Sequence, residues 1–231
     1  MKRVNRISAL HERPALLVFA KAPVPGTVKT RLCPPLTPKN AALLYRAMLR
    51  DTTRIAGASG CDTFFCYSPR GSKAMLRRVI GDQQFIWQGT GDLGARLARC
   101  FQRALGVGYR KVIAIGADSP TLPVERITAA ARELDRADLV VGPAVDGGYY
   151  LIGLSRWAPD VFRAIPWSTG DVLSRTIARA RTRRIRWSVL DPLHDVDQPS
   201  DLLIVISEIR KGLDIPHTEK ALARCGLFNT R

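Results

Sequence analysis

The alternation of short apolar segments with longer segments of helical periodicity constrains the fold of this chain more than any other feature. Residues 15–20 are wholly apolar and precede a loop rich in proline, as expected of a parallel strand buried on both faces. The predicted strands are residues 15–20, 63–67, 85–87, 111–115, 139–141, 150–152 and 185–190. The predicted helices are residues 38–56, 73–80, 93–105, 124–134, 171–180 and 200–211. This order indicates βαβ units, and it predicts an α/β fold in which helices cover both faces of a mostly parallel, twisted sheet, a three-layer α/β/α sandwich.

Length and composition fit a single domain. Of the 231 residues, 46% are hydrophobic and 24% are charged, which is ordinary for a globular protein. We expect one domain over residues 14–211, a polar N-terminal tail over residues 1–13 and a C-terminal extension over residues 212–231. No apolar run approaches the roughly 18–20 residues that span a bilayer. We therefore expect a cytoplasmic protein without a membrane partner.

The net charge is the unusual part of the composition. Lysine and arginine outnumber acidic residues to give a formal charge of +16, which attracts polyanions. The densest stretch holds six arginines, Arg175, Arg179, Arg181, Arg183, Arg184 and Arg186. Trp187 is the one aromatic residue close to this stretch. We favour a solvated helix face and a basic loop over a nucleic-acid groove, which stays as a competing hypothesis.

The loop after the first strand concentrates positive charge. From Lys21 to Leu32 it carries three cations that are candidates for substrate binding, Lys21, Lys29 and Arg31, together with two prolines and Gly26. Prolines stiffen such a loop, the glycine lets the backbone approach a ligand, and the cations can bind phosphate. The spacing matches neither a Walker A loop nor the dinucleotide fingerprint G-x-G-x-x-G. The loop is therefore a candidate phosphate site of another kind, and an ordinary exposed basic loop is the alternative.

Acidic residues stand at the ends of two later strands. Asp118 follows the apolar strand at residues 111–115, and Asp195 and Asp197 follow the last predicted strand. In an extended backbone Asp195 and Asp197 point to the same side, and carboxylates so close repel unless a cation lies between them. A hard divalent ion suits such a set. The alternative is that these residues merely cap turns and helices.

Two further segments are candidates for contacts with a substrate. The turn Asp146-Gly147-Gly148 and the following Tyr149 offer a base or a substrate contact, although Asp-Gly-Gly is also common hairpin punctuation. Trp167, Ser168 and Thr169 are expected to border an acceptor pocket, with Trp167 as its apolar wall. An equally good interpretation makes Trp167 an anchor of the core.

Taken together, these segments resemble a bacterial family of glycosyltransferase-A-fold proteins, the DUF2064 group, some of which are assigned to arsenosugar biosynthesis. The resemblance covers about residues 14–210 and rests on Phe19–Leu32, Gly116–Pro120, Gly142–Gly153, Trp167–Thr169 and Asp195–Asp197. More distantly, the chain is similar to 2-phospholactate and molybdenum-cofactor guanylyltransferases. Asp118 departs from the pattern, because it lies in Asp-Ser-Pro where metal-dependent glycosyltransferases usually have Asp-x-Asp.

The resemblance implies a nucleotide-diphospho-sugar transferase fold that works with Mg²⁺ or Mn²⁺. By analogy Asp118 and Asp197 would bind the metal, with Asp195 beside them, and Lys29 and Arg31 would contact phosphates. The predicted reaction is glycosyl transfer from a nucleotide sugar to a small-molecule acceptor, with Asp146 as the base. The alternative is nucleotidyl transfer from a nucleoside triphosphate, in which pyrophosphate leaves from the same cradle.

Overall fold

A computed structural model describes residues 11–228 of the chain. The strands are β1 (Ala15–Lys21), β2 (Asp62–Ser68), β3 (Gln84–Trp87), β4 (Val112–Gly116), β5 (Leu139–Pro143), β6 (Tyr149–Leu154) and β7 (Trp187–Val189). The helices are α1 (Pro38–Ala58), α2 (Lys73–Ile80), α3 (Leu93–Gly106), α4 (Val124–Glu133), α5 (Val172–Thr182), α6 (Pro199–Arg210) and α7 (Pro216–Arg224). Short 3₁₀ helices lie at Thr30–Leu32 and Pro159–Phe162. The α/β class predicted from the sequence is confirmed.

The strands form one mixed sheet in the order β3-β2-β1-β4-β6-β5-β7. All neighbouring pairs are parallel except the two that involve β6, which runs antiparallel to both β4 and β5. Because β6 is reversed, its first residue, Tyr149, lies at the edge where the parallel strands end. The carboxyl edge of the sheet therefore gathers the loops after β1 and β4 and the turn before β6.

Helices cover both faces of the sheet, which confirms the three-layer architecture. Alternate residues of β1 point to opposite faces, so Leu16 and Val18 join the core beneath α1, α2 and α4. Ala15 and Leu17 join the second core beneath α3 and α5. Within residues 11–228, none of the helices combines the length and apolar character needed to cross a bilayer.

Capping residues fix the starts of the helices that position the site. Thr37 accepts a hydrogen bond from the backbone N–H of Asn40 at 3.2 Å, and Pro38 occupies the first turn of α1. Asp92 accepts from the backbone N–H of Ala95 at 2.7 Å at the start of α3. In both caps the side-chain oxygen satisfies a backbone donor that has no partner within the helix.

The described parts of both terminal segments contact the domain. Of the polar tail predicted at residues 1–13, residues 1–10 lie outside the described residues, and His11 stacks on Tyr109 with ring centroids 3.8 Å apart. The predicted C-terminal extension contains α7, which the sequence analysis did not predict. Together with α1 and α6, α7 packs into a third apolar cluster that includes Leu44, Met48 and Leu222.

A buried carboxylate on α1 holds α7 in place. Asp51 is 1% exposed, and it accepts hydrogen bonds from the backbone N–H groups of His217 at 3.3 Å and Thr218 at 2.7 Å. A carboxylate at the first turn of a helix satisfies unpaired donors and interacts favourably with the helix dipole. Asp51 therefore acts as a cap supplied from a distant helix.

Replacing Asp51 with alanine is expected to destabilise the protein by about 1–3 kcal/mol, because two buried backbone donors lose their acceptor. Urea denaturation followed by circular dichroism measures this change. Asp214→Ala is the matched control, since Asp214 pairs with Arg54 at 2.6 Å but is 75% exposed. Its expected cost is below about 1 kcal/mol. Equal losses in the two variants would contradict the capping role.

The dense arginine stretch is partly neutralised within the fold. Asp138, which is 5% exposed, accepts from Arg186 Nη2 at 2.9 Å and forms an ion pair with Arg156 Nε at 3.2 Å. Arg183 Nε lies 3.2 Å from a carboxylate oxygen of Asp160. Hydrogen bonds from Arg186 hold the pKa of Asp138 well below its ordinary value, although burial acts in the opposite direction. Two of the arginines in the basic stretch, Arg183 and Arg186, are therefore paired with aspartates within the fold.

Asp138→Asn is expected to lower the stability by about 1.5–3 kcal/mol at pH 7, the range for hydrogen bonds to charged groups. The pKa of Asp138 is lower in the folded protein than in the unfolded chain, where it is about 3.9. The stabilisation that the Asp138 carboxylate contributes is therefore complete above about pH 3.9 and is lost as the pH falls towards the pKa of the folded state. The difference between wild type and variant should therefore shrink below about pH 4. Urea titrations at several pH values test this, with Asp135→Asn as the exposed control. A difference that grows on acidification would contradict the assignment.

Candidate functional site

A cleft of about 420 Å³ opens at the carboxyl edge of the sheet. Its apolar wall includes Phe19 from β1, Ile152 from β6 and Leu97 from α3. Of the predicted site residues, those that line it are Lys21, Lys29, Arg31, Asp118, Tyr149, Asp195 and Asp197. The fold thus brings together the cations of the first loop and the acids that follow two later strands.

Lys29 lies at the centre of the polar part of the cleft. Its backbone adopts the left-handed conformation with φ 50° and ψ 38°, immediately before the 3₁₀ helix Thr30–Leu32. This turn directs the side chain inward, where it is 4% exposed. Its Nζ donates to Asp118 Oδ2 at 2.9 Å and to the carbonyl of Val196, and it lies 3.9 Å from Asp197 Oδ1.

Arg31 leaves the same short helix on the solvent side. It is 62% exposed, and its Nη1 donates to Asp197 Oδ2 at 2.7 Å. Asp197 is therefore bound by two cations of the first loop, and it shares Lys29 with Asp118. The distances from Lys29 limit the separation of the nearer Asp118 and Asp197 oxygens to at most about 7 Å.

Asp118 directly follows β4 and its carboxylate is 41% exposed towards the cleft. Burial alone would raise its pKa, but the charge and hydrogen bond of Lys29 outweigh burial and hold the pKa below its ordinary value. The hydroxyl of the buried Tyr45, another residue of the cleft, accepts a hydrogen bond from the backbone N–H of Lys21 at 3.0 Å. Burial and the negative charge of Asp118 raise the pKa of Tyr45, so this phenol is neutral.

The acids around Asp195 repel one another. Burial, followed by the charges of Asp146 and Asp118, raises the pKa of Asp195 to about 6. Within residues 11–228, no group of three or more His, Cys, Asp or Glu side chains is arranged to hold a metal ion. The contacts give a physical reason, because the ammonium of Lys29 lies close to both Asp118 and Asp197.

The remaining predicted site residues lie outside the lining of the cleft. Asp146 accepts from the backbone N–H of Gly148 at 2.9 Å, in a turn that packs against Gly170. Gly147 has φ 88°, and a Cβ at this position would collide with the carbonyl of Gly170, so only glycine fits there. Thr169 accepts from the backbone N–H of Asp171 at 3.3 Å.

Trp167 is half-buried and packs edge-on against Tyr149, with ring centroids 6.2 Å apart. The hydroxyl of Tyr149 is buried and has no hydrogen-bond partner in the described part of the chain. Trp167 thus supports a residue that lines the cleft and also joins the core beneath α3. Ser168 is exposed, and Gly26 lies in the exposed part of the first loop.

Gln88 and Arg96 are among the polar residues of the cleft that the sequence analysis missed. Gln88 is 3% exposed, and its Nε2 donates to the carbonyls of Cys66 at 2.6 Å and Ala20 at 3.4 Å. Arg96 lines the cleft, and its Nε donates to the carbonyl of Gly91 at 2.9 Å. The available signal was the glycine-rich turn at residues 88–91, which follows β3 as the first loop follows β1.

Solved structures share this architecture. A crystal structure from Desulfovibrio desulfuricans G20, provisionally named a nucleotide-diphospho-sugar transferase, is 33% identical with a TM-score of 0.85, and the match covers 91% of this chain and 94% of that one. A nucleotidyl transferase from Methanothermobacter is 13% identical with a TM-score of 0.61, covering 88% and 100%. Rv0371c from Mycobacterium tuberculosis, in complex with manganese, is 15% identical with a TM-score of 0.53, covering 84% and 98%. No curated protein matches the chain.

The sheet topology, the cleft and these similarities define a nucleotide-diphospho-sugar transferase fold. Residues 51–169 match the model of the family "Uncharacterized protein conserved in bacteria (DUF2064)". The chain belongs to this DUF2064 family, as its motifs predicted. The two matches below 25% identity support the fold alone.

Proposed function

We propose that this protein is a metal-dependent transferase that moves a glycosyl group from a nucleotide sugar to a small acceptor. The observation that carries the proposal is the convergence of Lys29 and Arg31 with Asp118 and Asp197 at one edge of the sheet. Sites built at this edge of open α/β sheets bind ligands beyond the ends of the strands. The 33% identical structure, provisionally named a nucleotide-diphospho-sugar transferase, supports the same class of substrate.

The cations are suited to a leaving diphosphate. When a glycosyl bond breaks, negative charge develops on the nucleoside diphosphate, and fixed positive groups lower the free energy of that state. Lys29 offers a mobile ammonium, whereas Arg31 and Arg96 offer planar guanidinium groups that can bind two phosphate oxygens each. Arg96 of α3 also lines the cleft and adds to its positive charge.

The cleft carries the donor atoms that a divalent metal ion needs, although the described residues do not gather three such side chains around one point. Asp118 and Asp197, with Asp195 beside them, offer the oxygen ligands that Mg²⁺ and Mn²⁺ prefer. When bound, such an ion neutralises charge on the diphosphate. Burial and then the charges of Asp146 and Asp118 raise the pKa of Asp195, and the repulsion between these carboxylates favours a cation among them. The manganese complex of Rv0371c is consistent with this proposal.

The acceptor is proposed to approach from the side of the Asp146 turn. One oxygen of Asp146 accepts from the backbone N–H of Gly148, which fixes the orientation of the carboxylate. Asp146 is proposed as the base that removes a proton from the acceptor hydroxyl. Trp167, Ser168 and Thr169 precede Gly170, whose carbonyl lies against Gly147 of this turn, and they are proposed to form the outer border of the acceptor pocket. The neutral phenol of Tyr149 lies between these residues and the cleft.

A two-stage experiment tests the proposed function. First, nucleotide sugars and nucleoside triphosphates are screened by thermal shift, each with and without Mn²⁺, because a ligand of the native state raises its apparent stability. Ligands that stabilise the protein are then incubated with an acceptor library and the products analysed. Release of a nucleoside diphosphate is the expected result. Release of pyrophosphate would assign the protein to nucleotidyl transfer, and tight RNA binding that survives moderate salt would favour the basic nucleic-acid-binding hypothesis.

A further inference from the structure

Within residues 11–228, the ammonium of Lys29 is the one cation that forms ion pairs with both Asp118 and Asp197. It lies 2.9 Å from Asp118 Oδ2 and 3.9 Å from Asp197 Oδ1, and it also donates to the carbonyl of Val196. Its side chain is 4% exposed, so these contacts are shielded from solvent. Lys29 is therefore held by oxygen atoms from two loops that are far apart in the sequence.

A divalent ion that bound these carboxylates would need the same position. Oxygen–metal distances of about 2.0–2.6 Å bring two ligand oxygens to within about 5 Å of each other around one ion. The ammonium already lies against both acids, and a divalent ion placed beside it would face strong repulsion at low exposure to solvent. Metal and ammonium therefore compete for Asp118 and Asp197.

The side chain of Lys29 is suited to moving between partners. A lysine carries a compact charge on a flexible four-carbon stem, whereas the guanidinium of an arginine is a rigid fork. A diphosphate in the cleft would offer the ammonium new oxygen partners. A metal ion bound to that diphosphate could then occupy the place of the ammonium. Arg31, which is 62% exposed, is free of the Asp118 contact and can bind the diphosphate from the solvent side.

We propose that Lys29 is a built-in counter-cation of the acidic site, and that the protein takes up the divalent-metal complex of a diphosphate rather than the metal alone. In the free protein the ammonium lies against Asp118 and shares Asp197 with Arg31. A bound diphosphate would offer the ammonium other oxygen partners, and Asp118 and Asp197 would then be left to hold a metal ion that is bound with the diphosphate. This inference rests on the proposed function for the identity of the diphosphate as part of a nucleotide.

The first test measures the binding of Mn²⁺ alone by electron paramagnetic resonance. Wild type is expected to bind weakly, with a dissociation constant on the order of millimolar or above. Lys29→Met and Lys29→Gln should bind at least about tenfold more tightly, because the competing charge is gone. Lys111→Met is the matched control, since Lys111 also pairs with an aspartate, Asp135 at 2.6 Å, but does not line the cleft. It should remain within about twofold of wild type.

The second test uses wild type only, so it does not depend on how the variants fold. Thermal shift is measured with Mn²⁺, with inorganic pyrophosphate, and with both together. The combined shift is expected to exceed the sum of the separate shifts by at least about 3 °C. Additive shifts would overturn the inference, as would Lys29 variants that bind Mn²⁺ no more tightly than wild type. If Lys29 variants gain Mn²⁺ affinity but no nucleotide binds, the inference stands and the proposed function fails.

Discussion

Asp118→Asn is expected to abolish Mn²⁺-dependent nucleotide binding while the protein stays folded. Asparagine keeps the shape of the side chain but removes the charge that would attract the metal. We expect the affinity to fall by at least about 100-fold, which corresponds to about 2.7 kcal/mol. Lys29 retains Asp197 as a neighbour at 3.9 Å, so its ammonium is not left without an acid. Isothermal titration with the best nucleotide ligand and Mn²⁺ measures the change.

The control for Asp118 is a similar substitution far from the cleft. Asp82 pairs with Arg77 at 2.6 Å and is 74% exposed, so Asp82→Asn should leave nucleotide affinity unchanged. Circular dichroism and urea denaturation of both variants separate a local loss of binding from unfolding. If Asp118→Asn is folded and binds the nucleotide and Mn²⁺ as wild type does, Asp118 is not a metal ligand.

Arg31→Ala is expected to raise the dissociation constant of the nucleotide at least about tenfold, the lower range for a charge-assisted hydrogen bond. Arg31 is 62% exposed and its ion pair with Asp197 lies at the surface, so the stability should change by less than about 1 kcal/mol. Fluorescence or calorimetric titration with the same ligand measures the affinity.

Arg77→Ala provides the matched control for Arg31. Both arginines are exposed, and each pairs with one aspartate at a similar distance, 2.6 Å for Arg77 and 2.7 Å for Arg31. Loss of one positive charge at Arg77 should leave nucleotide affinity within about twofold of wild type, because charges beyond a Debye length are screened. Equal affinity in Arg31→Ala and wild type would remove Arg31 from the phosphate site.

The strands and most helices could be predicted because their signals are local. The apolar run at β1 indicates a strand buried on both faces, and the helical period at residues 73–80 matches α2. Thr37 and Asp92 are capping residues at the starts of α1 and α3, where each meets a backbone donor only three residues away. Such contacts depend on neighbours in the sequence and are visible without the fold.

The last helix, α7, could not be predicted for the opposite reason. It spans nine residues, too few to be stable alone, and it carries a single large apolar residue, Leu222. Its first turn is capped by Asp51, which lies 166 residues earlier than His217. Its apolar side is covered by α1 in the third core cluster. Only packing between distant parts of the chain makes this helix stable.

The sequence alone determined the class of fold and the loops in which Lys29, Arg31, Asp118 and Asp197 occur. The strands are recognised from short stretches of sequence, and the carboxyl ends of parallel strands lie at one edge of the sheet, so the loops that meet there follow from local patterns alone. The tertiary structure alone decided that Lys29 turns inward between Asp118 and Asp197, while Arg31 remains in solvent. The reason is physical, because a left-handed turn at Lys29 and the burial around β4 set the direction of each side chain. The spacing of Lys29 and Arg31 in the sequence does not specify these side-chain directions.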